Sequence, residues 1–246
     1  MTIDIDVLSA GLACYDLIFS VERQPDPDEK VFADQFFDCG GGPAANAAAA
    51  AARLGARCAF AGYLGNDLFG QRHLDELQQA GVVTDLVVMG AAPTPLSAIV
   101  VKPDGRRMVI NYKGATEPLA ADCVDLDHCR PKVILFDGHQ PQISQKLVAQ
   151  ARRSGVPTVL DAGSLHFGTR LLAGLVDHVV ASEKFVRQFS GQKDAQAAAE
   201  LLHRPGNSVV VTLGPAGLVW RNDTGTGRMP AFDVNAVDTT GAGDAF

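Results

Sequence analysis

The densest chemistry in this sequence lies in Asp238-Thr239-Thr240-Gly241-Ala242-Gly243-Asp244. Two glycines one residue apart let successive backbone N–H groups point at one spot, and a helix starting there would add its positive end. That geometry suits a phosphate or a developing anion. Asp244 sits beside the same spot and could take the proton of a hydroxyl that attacks phosphorus. The string also reads as a glycine turn in which Asp244 caps a helix. A second constellation is Gly40-Gly41-Gly42-Pro43-Ala44-Ala45-Asn46. Its glycines allow a ligand close to the backbone, and Asn46 offers both a donor and an acceptor to sugar hydroxyls. Tight packing of a small-faced helix would explain the alanines equally well, but not the polar Asn46 among them.

Other chemistries lack their residues. No GxxxxGK[ST] string occurs, and no GxGxxG follows the first strand, so P-loop and dinucleotide readings lose their main support. No HExxH and no close His/Cys cluster suggests zinc. His139 taken alone reads as a turn or surface histidine. The net charge of −7 disfavours a broad basic surface for nucleic acid, while leaving room for a local positive pocket for a small anion.

The elements that must position these groups follow from composition and pattern. At 246 residues, 47% hydrophobic and 20% charged, the chain fits one sizeable globular domain or one and a half. The longest apolar run, Ala44 to Ala52 broken by Asn46, is far short of the ~20 residues a membrane span needs. Met1 to Asp6 has acidic residues and no basic stretch of a secretory signal, so a cytoplasmic location is expected. The cysteines, Cys14, Cys39, Cys58, Cys123 and Cys129, are odd in number and form no CxxC, which reads as reduced thiols.

Alternation and turn residues predict strands at Asp4 to Leu12, Tyr15 to Val21 and Val31 to Asp38. A helix follows along the run of alanines that Gly40-Gly41-Gly42-Pro43 opens and Arg53-Leu54-Gly55 ends, with proline near its first turn and a C-terminal glycine. Arg57 to Leu64 reads as a strand and Asp67 to Gln79 as an amphipathic helix. Leu96 to Lys102 and Arg107 to Tyr112 flank Pro103-Asp104-Gly105 as a hairpin. Strands at Val133 to Phe136, Thr158 to Leu160, His178 to Ala181 and Ser208 to Leu213 then alternate with helices at Ile143 to Ser154, Leu165 to Leu172 and on both sides of Gly191. Such alternation implies a parallel sheet covered on both faces. The early extra strands and the Leu96 hairpin fall outside it and form a small appended sheet. A last strand is expected at Val234 to Val237.

Two stretches together carry a resemblance. Gly40 to Gly70, with its GG…N…alanine helix…RLG…GxxGxDxFG pattern, and Asp238 to Phe246, DTTGAGDAF, resemble the two signature regions of the ribokinase-like (PfkB) family of carbohydrate and nucleoside kinases. The resemblance implies a three-layer α/β/α sandwich over residues 1–246, with a mainly parallel sheet and a small β-sheet lid from about 13–38 and 95–113. It implies ATP and Mg2+ as cofactors, Asp244 as base, and Gly241, Ala242 and Gly243 as the anion hole. It further implies that Asp16, Gly41, Gly42 and Asn46 hold the sugar, that Thr212, Gly214 and Gly217 line the nucleotide site, and that Glu183 stands in for the glutamate that orders magnesium.

Cys14 stands where ribokinases often have Asn, and Pro43-Ala44 replaces their Lys-Gly. The glycine run, Ser97 to Val100 and Ile110-Asn111-Tyr112 look closer to the ketohexokinase and sulfofructose kinase branch, with Asn111 and His139 as further sugar contacts. His139 occupies the place of the arginine that binds sulfonate in the sulfofructose kinases. The expected activity is ATP-dependent phosphorylation of a ketose or related small sugar. A nucleoside kinase and an inactive sugar-binding relative are the alternatives, and a homodimer through the lid is the expected assembly. Relatives in the family continue past GAGDAF with further helices, so the resemblance also implies an incomplete C-terminal end and little activity of this chain alone.

Overall fold

The computed structural model describes residues 3–124, 126, 129–234 and 239–246. The chain opens with β1 (Ile3–Gly11), β2 (Cys14–Ser20), β3 (Gln35–Gly41), α1 (Pro43–Arg53), β4 (Cys58–Gly65), α2 (Leu68–Gln79) and β5 (Val87–Gly90). The hairpin β6 (Leu96–Val101) and β7 (Arg107–Tyr112) comes next, then β8 (Cys129–Phe136), α3 (Pro141–Ser154), β9 (Thr158–Ala162) and α4 (Phe167–Ala173). β10 (His178–Ser182), α5 (Glu183–Ser190), α6 (Ala195–Leu202), β11 (Ser208–Thr212), β12 (Leu218–Asn222) and β13 (Gly225–Met229) complete it. Asn235 to Asp238, including most of the expected last strand, lie outside the described residues.

The main sheet runs β13-β12-β11-β10-β9-β8-β1-β4-β5 and is parallel from β5 through to β11. The order reverses beside β1. Successive strands proceed one way through β4 and β5 and the other way from β8 to β11, so right-handed crossovers put their helices on opposite faces. Side chains of β4 show the division. Phe60 and Leu64 pack with Ala44, Ala48 and Leu77 of α1 and α2, while Ala59, Ala61 and Tyr63 join the larger core built with Ile143, Leu147 and Leu172 of α3 and α4. A crevice at the C-terminal ends of β1 and β8 results, the usual ligand position in such sheets.

A second sheet, β3-β2-β6-β7, stands apart. Its third strand starts at Gln35 rather than near Val31 and continues to Gly41, because Gly40 and Gly41 pair with Tyr15 and Cys14 before the chain turns into α1. The lid therefore hands its last strand directly to the alanine helix. Sequence patterning did not reveal β5, four residues long, nor the antiparallel β12–β13 hairpin at the sheet's far edge. No helix among the described residues is long and apolar enough to cross a membrane, and none of the cysteines forms a disulfide.

The second half of the first signature, Gly65 to Gly70, is structural. Asp67 caps α2 by accepting from Gly70 N at 2.8 Å, and it also accepts from Thr94 N at 2.8 Å and Thr94 Oγ1 at 2.7 Å. A side chain on Gly70 would strike the Gly65 carbonyl. Burial pushes the Asp67 carboxyl up, but the bonds from Thr94 and Gly70 outweigh it and hold it below its ordinary value. Because the folded state favours the carboxylate, its stabilisation is complete above the unfolded pKa and fades as pH falls through the lowered one. Asp67→Ala should therefore cost about 2 kcal/mol at neutral pH, a cap plus stranded donors, with the deficit narrowing below about pH 3.9. Urea unfolding of both proteins across that range measures it; a deficit that does not change with pH contradicts the assignment.

Candidate active site

Residues from five separate stretches meet in one cavity of about 490 Å3 between the lid and the main sheet. Asp16 comes from β2, Gly42 and Asn46 from the entry to α1, Asn111 from β7, His139 from the loop after β8, and Gly241 and Asp244 from the C-terminal turn. The structure thus brings together seven of the residues that sequence reasoning singled out. Gly41 lies just behind: a Cβ there would occupy the space of the Asp16 carboxylate. Gly42 has φ of 100°, with its open side against the Leu12 carbonyl, a conformation that favours glycine.

Asp244 is the centre of the arrangement. Its Oδ2 accepts from Asn46 Nδ2 at 2.7 Å across 198 residues of sequence. Burial pushes the Asp244 carboxyl above its ordinary value; the Asn46 bond opposes this, Asp137 and Asp16 reinforce it, and Arg107 draws it down. Residues 240–245 form successive turns, with Ala245 N donating to Gly241 O at 3.0 Å. The Ala242 N–H is taken by Thr239 O at 3.2 Å, whereas Gly241 and Gly243 have no backbone acceptor for theirs among the described residues. Gly241 itself has φ of 72°, in the left-handed region that favours glycine.

Two neighbours, Asp137 and Asp161, were not singled out in the sequence. Asp137, directly after β8, is buried and accepts from Leu12 N at 2.7 Å, Ala44 N at 3.2 Å and His139 N at 2.8 Å. Asp161, near the end of β9, is pushed up to about 7 by burial and by the charges of Asp244 and Asp137. An acidic residue after the apolar core of each parallel strand was the signal available for both. Cys14 donates to Asp16 Oδ1 at 3.3 Å and receives Ser97 Oγ at 3.6 Å, and burial pushes its thiol well up, so it serves as a neutral donor that orients the carboxylate. His139 stacks on His166 at 4.5 Å, whose own pKa is held down at about 4 by burial and by His139.

The remaining expected residues lie elsewhere. Thr212, at the end of β11, donates to Ala181 O at 3.4 Å, and Gly214 opens the short 3-10 turn that follows. Gly217 closes that turn at φ of 86°, where a side chain would meet the Met229 carbonyl, so it has a structural requirement of its own. Glu183 is paired with Arg187 at 2.5 Å on α5 and does not line the cavity.

Residues 4–246 match the pfkB family carbohydrate kinase. The chain belongs to that family. It is 30% identical to the ribokinase of Mus musculus, covering 98% of this chain and 79% of that protein. It is 29% identical to the ATP-dependent ribose-1-phosphate kinase of Halopiger xanaduensis over 98% of this chain and 82% of the relative. The crystal structure of adenosine kinase from Sinorhizobium meliloti superposes with a TM-score of 0.82 at 27% identity, covering 98% of this chain and 84% of that one. As a pfkB carbohydrate kinase, the chain is an ATP-dependent sugar kinase of a family that works with Mg2+.

The site's donor set fits those groups. The Gly241 and Gly243 N–H groups, without a backbone acceptor among the described residues, suit phosphate oxygens. Among the described residues no group of three or more His, Cys, Asp or Glu could cage a metal. These residues would therefore hold Mg2+ mainly through the phosphates that it accompanies.

A general base works only as the carboxylate and burial raises the pKa of Asp244, so if Asp244 is the base, activity should fall on acidification at a pH above the ordinary aspartate range. Asn46→Ala removes the bond that opposes this shift and should move the acid limb of kcat/KM to still higher pH. Profiles of both enzymes decide it; a limb that stays put or moves downward refutes the coupling.

Proposed function

We propose that the protein transfers the γ-phosphoryl group of ATP to a hydroxyl of a ketose or related small sugar, with pentoses next in order. The observation that carries this reading is the Asn46 Nδ2 to Asp244 Oδ2 bond of 2.7 Å inside the cavity that Asp16 also faces. One wall offers hydrogen bonds to sugar hydroxyls, and the residue able to take a hydroxyl proton touches that wall.

In this reading Asp16, oriented by Cys14, and Asn46 anchor two hydroxyls of the acceptor. Asn111 and His139 bound the rest of the sugar from the lid and from the loop after β8. Asp244 receives the proton of the attacking hydroxyl, and the Gly241 and Gly243 N–H groups face the charge that develops on the transferred group. Bound Mg2+ supplies charge neutralisation of the phosphates. Thr212 and Gly214 face the adenine nucleotide beside β11.

A nucleoside acceptor is the second reading. Ile99, Val109 and Tyr112 give the lid side of the cavity an apolar surface on which a base could stack, and the adenosine kinase likeness supports it. A panel of pentoses, hexoses, ketoses and nucleosides, assayed for ATP-dependent phosphorylation, separates the two. Turnover confined to nucleosides overturns the first reading, and no turnover on any member overturns both.

Asp244→Asn should lower kcat by about 10²–10⁴ with sugar affinity nearly intact, as removal of a general base does. Retention of more than about a tenth of wild-type kcat removes the role. Asp16→Ala and Asn46→Ala should each weaken sugar binding by about 1–3 kcal/mol and ATP binding far less. Calorimetry with unchanged sugar affinity in both returns these residues to packing.

The lid is also the proposed contact for a second copy of the chain. Its edge strands β3 and β7 carry Phe36, Phe37 and Ile110 at 54%, 54% and 59% exposure, apolar side chains on open sheet edges. Sedimentation equilibrium should show a dimer that Phe37→Lys with Ile110→Lys disrupts; a monomer at all concentrations removes the proposal.

A further inference from the structure

Phe69, Arg72, His73 and Glu76 recur at intervals of three and four, so they share one side of α2. That side packs against the roots of β2 and β3. Alternation along the strands divides the same root into two faces. Cys14 and Asp16 line the acceptor cavity, so Tyr15 between them, and Gly40 that pairs with Tyr15, look the other way, toward α2. Tyr15 is buried there with its ring 5.3 Å from that of Phe69. The acceptor-facing side chains and the α2 contacts are thus opposite faces of one short piece of sheet.

Glu76 joins the helix to both strands. Its Oε2 accepts from Gly40 N at 2.7 Å and its Oε1 from the Tyr15 hydroxyl at 3.4 Å. Glu76 is half-buried and forms no ion pair among the described residues, since Arg72, one turn earlier on the same side, is committed to Asp38 at 2.6 Å. His73 is neutral at pH 7: burial pushes it down to about 4 against the opposing Cys14 backbone, and its ring fills the space that a Gly40 side chain would need. Gly41 pairs with Cys14 and leaves the room in which the Asp16 carboxylate lies. A carboxylate drawn partly from water without a counterion is costly, and both bonds of this one go to the strands that carry the acceptor-facing residues.

We propose that Glu76 is a positioning residue for acceptor binding: by holding Gly40 and Tyr15 together from behind, it fixes the spacing of β3 and β2 that gives the Asp16 carboxylate its place in the cavity. This rests on the reading of Asp16 as an acceptor-binding group given above. Glu76 does not line the cavity; it acts through Gly40, Gly41 and Asp16. A single Cβ at Gly41 would fill the space of the Asp16 carboxylate, so a small displacement of β3 toward β2 presses on that carboxylate and the reverse leaves it loose. Misplacement of a binding group by about 1 Å is enough to cost much of what it contributes. The reach of the Glu76 side chain, rather than its charge, therefore carries the effect.

Glu76→Gln keeps the reach and an oxygen for the Gly40 N–H while removing the charge. Glu76→Asp keeps the charge and draws the carboxylate back by one methylene. Calorimetry with D-fructose, D-ribose and adenosine, well below each protein's unfolding midpoint, reads the acceptor site. The Asp variant should bind whichever of these the wild type binds about tenfold more weakly, and the Gln variant within about threefold of wild type. ATP with Mg2+ should bind all three proteins within about threefold, and in turnover the loss should appear in KM for the acceptor rather than in kcat. An Asp variant with wild-type acceptor affinity, or a Gln variant that loses as much as the Asp variant, overturns the proposal. Equal losses for acceptor and ATP, the mark of general loosening, overturn it as well.

A double-mutant cycle with Asp16→Ala separates this from a role in stability alone. Once Asp16 is gone, Glu76→Asp should weaken acceptor binding no further, because the group it positions is absent. A further loss of about tenfold in that background overturns the proposal. Loss of acceptor affinity in Asp16→Ala with none in Glu76→Asp overturns the role of Glu76 and leaves the reading of Asp16 standing. Wild-type affinity in Asp16→Ala, or binding of none of the three probes by the wild-type protein, overturns the acceptor reading and the role of Glu76 with it.

Discussion

The buried carboxylate of Asp137 is the fixed point of this structure. It accepts the N–H groups of Leu12, Ala44 and His139, one from the end of β1, one from the first turn of α1 and one from the loop after β8. A buried carboxylate is tolerable only when its lone pairs are occupied, and here the partners are backbone groups that secondary structure would otherwise leave open. Gly11 lacks a side chain because the Asp137 carboxylate occupies that space. Asp16, Asn46 and His139 each stand within a few residues of one of those three N–H groups. The spacing of these cavity-lining side chains thus follows from one electrostatic knot at the point where strand order reverses.

Around that knot the site gathers negative charge before any substrate arrives. Burial and mutual repulsion raise Asp244 and push Asp161 to about 7. The arrangement is costly in isolation and becomes favourable when phosphate-bound cations and fixed donors complete it, which is how preorganised sites trade stability for function. Asn46 links the two halves of the proposed chemistry, because the amide proposed to hold the sugar also bonds the Asp244 carboxyl and opposes the rise that burial causes.

Much of the fold was legible. The alanine helix, the Leu96 hairpin and the later strand and helix alternation fell where periodicity and turn residues put them, since those signals are local. The β12–β13 hairpin was equally local: Asn222 Oδ1 accepts from Thr224 N, Thr224 Oγ1 and Gly225 N, a turn written in Asn222-Asp223-Thr224-Gly225. β5 is too short to carry a pattern, and the start of β3 moved because lid pairing, not hydrophobic alternation, decides where it begins. The first signature also divides in a way its letters do not show. Gly41, Gly42 and Asn46 serve the cavity, whereas Gly65 to Gly70 hold α2 to the loop that carries Thr94.

The sequence by itself determined the element types, the glycine turn with its adjacent carboxylate, and the family, because each depends on residues close together in the chain. Only the tertiary structure decided which distant groups meet. Asn46 touches Asp244 across 198 residues, Arg107 touches Thr240 across 133, and Asp137 gathers three backbone donors that no motif marks. It also decided that Glu183 turns to Arg187 and away from the cavity. Charge and hydrogen bonding act over a few ångströms of space, and the packing of the two sheets, not spacing along the chain, sets which groups fall within that range.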